Sequence, residues 1–105
     1  SSWVNDLQVN ASDEKSPVVA TEFVGTSITS GGDGSAMPDR IKTVMANNPF
    51  LNFYSGQRGY VPCEVSPTQM HARYQGLDYV SKPGAPLVTR ATFVVEDGRP
   101  GAKKL

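Results

Sequence analysis

The sequence predicts an α+β fold that is mostly β. Three observations carry this: two segments of extended character near the start, a long alternating run broken by a turn signal in the second half, and one stretch of helical spacing. At 105 residues the chain has the size of one small domain, spanning 1–105, with a single core.

Trp3, Asn5, Leu7 and Val9 fall on one face of an extended segment and Val4, Asp6, Gln8 and Asn10 on the other, so 3–10 reads as a strand. A polar loop, 11–17, leads to Val18-Val19-Ala20-Thr21-Glu22-Phe23-Val24, which is apolar on both faces and reads as a strand inside a covered sheet. Residues 25–35 hold glycine, serine and threonine but few long charged side chains, the composition of a packed loop and not of a solvated linker. Pro38, the spacing of Ile41, Val44 and Met45, and the stop at Asn47-Asn48-Pro49 predict one short helix over 38–47.

Residues 49–59 carry three aromatic side chains without a clean period and read as an irregular connection or short strand against the core. Tyr60–Val65, the turn Ser66-Pro67-Thr68 and the alternating run Gln69–Val80 predict a hairpin. Pro62 has no N–H, so the first of these strands belongs at an edge or turns its nitrogen away from a partner. Leu87–Glu96 is the last predicted strand, and Asp97–Gly101 is expected to close the ordered part.

Composition narrows the function classes. Ten basic and ten acidic side chains cancel to zero formal charge, which leaves no footprint for nucleic acid or an anionic membrane. No apolar run approaches the roughly 18 residues of a membrane span, and the first residues lack the basic start and apolar stretch of a signal peptide. With one cysteine and one histidine, the chain is expected to form no internal disulfide and no four-ligand zinc site of its own. Cys63 alternates in phase with Val61 and Val65 and is expected in the core.

No complete active site of a recognisable reaction class is present, so no residue is assigned as catalytic or as a metal ligand. Glu22 is the carboxylate of most interest, since an ionised group between Ala20 and Val24 in a buried strand needs a cation or several donors. Its use near a substrate stands beside a structural pairing with Arg58, Arg73 or Arg90. The hydroxyls of Thr26, Ser27 and Ser30 and the flexible amides around Gly31-Gly32 could cradle a phosphate oxygen, although no lysine follows in the pattern of a nucleotide-binding loop. His71 lies mid-strand beside Arg73 and Gln75 and reads as solvated or hydrogen-bonded.

The string Ser16-Pro17-Val18-Val19-Ala20-Thr21-Glu22-Phe23-Val24-Gly25-Thr26-Ser27-Ile28-Thr29-Ser30-Gly31-Gly32-Asp33-Gly34 resembles the C-terminal portion of the PhoD-type alkaline phosphatase and phosphodiesterase family. Asn48-Pro49-Phe50, Gln57-Arg58-Gly59-Tyr60-Val61 and the run from Pro83 to Gly101 follow in the family's order. The resemblance implies the C-terminal half of a metallophosphoesterase β-sandwich, with one short helix and a terminal hairpin plus strand.

It also implies an exported hydrolase of phosphate mono- or diesters, or one of phospholipase D type, working through a metal-bound hydroxide with iron and calcium as the metals. In the family the last metal motif, Gly-Asp-x-His, precedes residues like Ser1-Ser2-Trp3, so the ligands are expected upstream, in the part of the same enzyme that would be this chain's partner. The chain alone is then expected to be inactive. The alternative from a different class is a stand-alone β-rich binding module, with Phe50, Phe53, Tyr54 and Tyr60 as its surface.

Overall fold

A computed structural model describes all 105 residues, Ser1–Leu105. The elements are β1 (Ser2–Gln8), β2 (Val18–Val24), α1 (Asp39–Ala46), β3 (Leu51–Ser55), β4 (Arg58–Tyr60), β5 (Cys63–Val65), β6 (Gln69–Leu77), β7 (Val88–Glu96) and β8 (Arg99–Lys104). They form two antiparallel sheets, one ordered β2-β1-β3 and the other β4-β6-β7-β8, with β5 also paired to β6.

The first strand forms as its alternation predicts, but the face holding Trp3, Leu7 and Val9, the more apolar one in sequence, is not the one turned to the core: Leu7 and Val9 are exposed and Val4 of the opposite face is buried. Val4 pairs with Phe23 on β2 and with Phe53 on β3, and this row faces the second sheet. From that sheet come Tyr74, Ala91 and Phe93, giving a core in which Val4 is 0 % and Phe93 1 % exposed. The rings of Phe53, Tyr74 and Phe93 meet edge-on or tilted at centroid separations of 5.1–6.1 Å, geometry that adds to simple burial. The Tyr74 hydroxyl donates to the Trp3 carbonyl at 2.7 Å, joining the sheets by a hydrogen bond. Burial pushes the Tyr74 pKa up, so it remains a neutral donor.

Helix α1 begins at Asp39 with Pro38 as its N-cap, and the Asn47 N–H closes it on the Thr43 carbonyl at 3.2 Å. Its buried residue is Ile41. The aromatic connection after it is a strand, β3, because Phe53 and Tyr54 both find cover.

Several expectations change. The strand expected over 60–65 is instead split between β4, which ends at Tyr60, and β5, which starts at Cys63, with the break at Val61-Pro62; both pair only with β6, so Pro62 does stand at an edge. Cys63 is exposed and not in the core, because β5 is a three-residue edge strand with no layer over it. Strand β2 is an edge strand and not an interior one: Val19 is 53 % exposed, and Ala20 and Glu22 are exposed with it. The ordered part continues past Gly101. Asp97-Gly98 is a two-residue turn, Glu96 pairs with Arg99, and β8 adds a further strand. Pro100 is tolerated there because β8 pairs only with β7.

Candidate functional site

The loop from Gly25 to Ala36 folds down onto the start of β4. Its position is set by backbone hydrogen bonds at both ends: the Gly59 N–H donates to the Ser27 carbonyl at 3.3 Å and the Gly56 N–H to the Ala36 carbonyl at 3.2 Å. Gly59 must be glycine for steric reasons, since a Cβ there would overlap the Gln75 carbonyl of β6. That close approach fixes Arg58 opposite Leu77 at the sheet's edge.

The Arg58 side chain reaches into the loop. Its Nη1 donates to Ser27 Oγ at 2.7 Å, with Thr26 Oγ1 at 3.4 Å, and Ser27 Oγ in turn donates to the Ser30 carbonyl at 2.8 Å. Arg58 Nε is shut away from solvent without an acceptor. Gly34 closes the loop over it: φ is +71°, and a Cβ would overlap the Gly56 carbonyl and come within 2.8 Å of Arg58 Nη2.

The far side of the loop is pinned by Asp33. Its Oδ1 accepts from the Val80 N–H at 2.7 Å and the Ser81 N–H at 2.9 Å, and Oδ2 accepts from the Ser81 hydroxyl at 3.2 Å. The two backbone donors hold the Asp33 carboxyl below its ordinary pKa. The loop over 25–35 is therefore held by a cation on one side and a carboxylate on the other, but it is not packed as expected: Gly25, 28–32, Gly34 and Ser35 are exposed, because polar pinning and not apolar cover holds it.

Of the four residues singled out from the sequence, the fold brings Thr26 and Ser27 together around one guanidinium. Ser30 contributes its carbonyl to the cluster. Glu22 stands apart and is not buried. It sits on the open face of β2 and accepts a hydrogen bond from Asn5 Nδ2 of the neighbouring strand at 2.7 Å. None of the arginines considered as its partner pairs with it, because Arg73 is bound to Glu64 at 3.3 Å, Arg90 to Asp78 at 2.6 Å, and Arg58 to the loop hydroxyls.

Sequence reasoning missed Arg58 and Asp33 as the organisers of the loop. An arginine between two glycines, Gly56 and Gly59, with no acid nearby in sequence, was the available signal. The aromatic residues of the binding-module reading do not form a surface: Phe53 packs on the core, Tyr54 is 6 % exposed, and only Tyr60 is well exposed. No three of the His, Cys, Asp and Glu side chains converge closely enough to hold a metal ion, so the residues of this chain do not by themselves fit a metal centre.

Two facing antiparallel sheets, with a hydroxyl-lined loop bound by Arg58 at the edge of one of them, define the class of β-rich protein. Comparison with known proteins narrows it. The family model described as PhoD-like phosphatase matches residues 1–74. Alkaline phosphatase D of Bacillus subtilis (strain 168) is 39 % identical over 104 residues, covering 99 % of this chain and 18 % of that protein. A solved structure of PhoD superposes with a TM-score of 0.92 at 39 % identity, over 99 % of this chain and 20 % of the solved one. The chain belongs to the PhoD-like phosphatase family, and it spans about a fifth of the length of these relatives.

Proposed function

We propose that this chain is the C-terminal part of an exported, metal-dependent phosphoric ester hydrolase, acting on phosphate mono- or diesters, and that it forms one side of a metallophosphoesterase β-sandwich. The observation that carries the reading is the likeness to PhoD along almost the whole chain, in sequence and in backbone together. The exposed apolar side chains of the first sheet and its flank, Leu7, Val9 and Val19, support a further layer of the same enzyme lying over them.

On this reading the ligands of the metals, with iron and calcium favoured by the family resemblance, belong to the remainder of the enzyme. The metals supply Lewis-acid chemistry at the phosphoryl group. The residues of this chain bind and orient. Thr26, Ser27 and the Ser30 region face the substrate phosphate, in a loop whose shape is fixed before any ligand arrives by Arg58 and Asp33. Glu22, four residues before Thr26, acts through its hydrogen bond to Asn5 to hold the strand that leads into this loop.

Turnover of a chromogenic monoester and a diester, measured for the isolated chain and for the chain joined to the remainder of the enzyme with iron and calcium supplied, tests the proposal. The joined protein is expected to turn over and the isolated chain to be inert. Metal-dependent turnover by the isolated chain, surviving removal of contaminating phosphatase, contradicts the division of labour; an inert joined protein that is folded and metal-loaded contradicts the activity. In the joined enzyme, Glu22→Ala, which removes the acceptor of the Asn5 hydrogen bond, is expected to lower turnover about 10–100-fold, the scale of lost positioning contacts. Full turnover with a lowered melting temperature would make Glu22 purely structural.

A further inference from the structure

Arg58 is the one arginine reaching into the loop, and its surroundings leave its charge unanswered. Arg73, Arg90 and Arg99 each lie within 4 Å of a carboxylate, namely Glu64, Asp78 and Glu96. Arg58 has no such neighbour, and its acceptors are the neutral hydroxyls of Ser27 and Thr26. A guanidinium keeps its proton at every physiological pH and carries five N–H donors. Here Nη1 is engaged, Nε is enclosed without an acceptor, and Nη2 donates to no protein atom. Nη2 is not among the enclosed orphan atoms, so it is reached by solvent.

The chemistry around Nη2 suits one ligand class. Thr26 Oγ1 makes no hydrogen bond other than the long one from Nη1, so its own O–H is free to donate. Gly31 and Gly34 flank the guanidinium and present no side chain to it; an added Cβ would stand 3.8 Å from Nη2 at Gly31 and 2.8 Å at Gly34. No carboxylate competes for the cation. A fixed positive charge and a hydroxyl donor, flanked by glycines that carry no side chain, are what hold an oxyanion of tetrahedral shape.

Resting on the phosphoesterase reading, we infer that Arg58 Nη2 and the Thr26 hydroxyl bind a non-bridging oxygen of a phosphoryl group, making Arg58 the residue that recognises the substrate's phosphate within this segment. Ser27 holds the guanidinium in place by accepting from Nη1 and passes the constraint to Ser30 through its own O–H. The same contacts serve free phosphate and the phosphoryl group of an ester.

The inference is tested on the chain itself by nuclear magnetic resonance of the Arg58 Nε–H and the amides of Thr26–Gly34, titrated with inorganic phosphate, phenyl phosphate and dimethyl phosphate against chloride at matched ionic strength. A saturable response confined to the loop, with half-saturation below about 10 mM, is expected for phosphate and for the monoester. A weaker response to the singly charged diester would identify a site tuned to the dianion, and equal responses a site that reads only the shared oxyanion. Arg58→Gln should abolish the response. Arg58→Lys should keep the charge and weaken binding at least about 10-fold, as the planar donor set is lost. Shifts no different from chloride in the wild-type chain overturn the inference, as does an unchanged response in a folded Arg58→Gln chain. Ester hydrolysis by the joined enzyme without any phosphate response here would sink the Arg58 assignment and leave the phosphoesterase reading standing. A phosphate response without hydrolysis would do the reverse.

Discussion

The core between the sheets and the loop over Arg58 are built from opposite materials. Val4, Tyr74, Ala91 and Phe93 meet by packing, with a single hydrogen bond from Tyr74 to Trp3 crossing between the sheets. The loop contains little apolar surface and is held by named polar contacts, with Arg58 on Ser27 and Asp33 on Val80 and Ser81. Dispersion and burial are non-directional and carry no titrating charge, so the core gives a stable platform without chemical responsiveness. Polar pinning is directional and charge-dependent. A segment held that way can respond to an arriving anion while the sheets beneath it stay fixed.

Substitutions should separate the two regions. The largest effect is expected from Phe93→Ala, which removes a ring that is 1 % exposed and leaves a cavity between the sheets. A loss of about 3–5 kcal/mol in denaturant unfolding is predicted. A loss under about 1 kcal/mol would mean the core can collapse around the gap.

Gly34→Ala comes next. The new Cβ overlaps the Gly56 carbonyl and demands a side chain at φ +71°, so the loop must move. We expect about 1–3 kcal/mol of destabilisation, with amide shifts concentrated in 26–36 and at Arg58 and little change at Tyr74 and Phe93. Shifts spread equally through the core would show that loop and core are not separable units.

Smaller still is the acid response of Asp33. Its native pKa is depressed by the Val80 and Ser81 N–H donors, so its contribution is present above the ordinary value of 3.8 and fades as pH falls through the lower native value. Melting temperature should therefore drop on acidification below pH 3.8 in the wild type and drop less in Asp33→Asn. Parallel pH curves for the two proteins would remove Asp33 from the account. The smallest effect is on the exposed face: Glu22→Gln should change stability by no more than about 0.5 kcal/mol, since the amide can still accept from Asn5.

Much of the fold was legible because strand and helix periods are local properties. The strand β1 followed from alternation, though its inward face is the Val4 one and not the more apolar Trp3-Leu7-Val9 one, and α1 followed from Pro38, Ile41 and Asn47. What alternation cannot encode is which side of a strand has a layer over it. Cys63 and β2 were placed inside for that reason, and Glu22 inherited a burial it does not have. Strand β8 was hidden by Gly98, Pro100 and Gly101, breakers that an edge strand after a tight Asp-Gly turn accommodates.

The site was half legible. Thr26 and Ser27 were singled out as candidates from their chemistry, but Arg58 stands 31 positions from Ser27 in sequence and meets it only through the pairing of β4 with β6. Long-range register of that kind has no local signature. Asp33 was hidden similarly, its partners Val80 and Ser81 lying 47 and 48 residues away.

The central claim is that this segment handles the substrate phosphate and is more than a wall of the enzyme. The most direct measurement is kcat/KM for a chromogenic phosphate monoester in the joined enzyme carrying Arg58→Lys, with melting temperature recorded on the same samples. A fall of at least about 10-fold in kcat/KM, with the melting temperature within a few degrees of wild type, is predicted. Unchanged kcat/KM with a clearly lowered melting temperature would contradict the claim and leave Arg58 and its loop as structural packing alone.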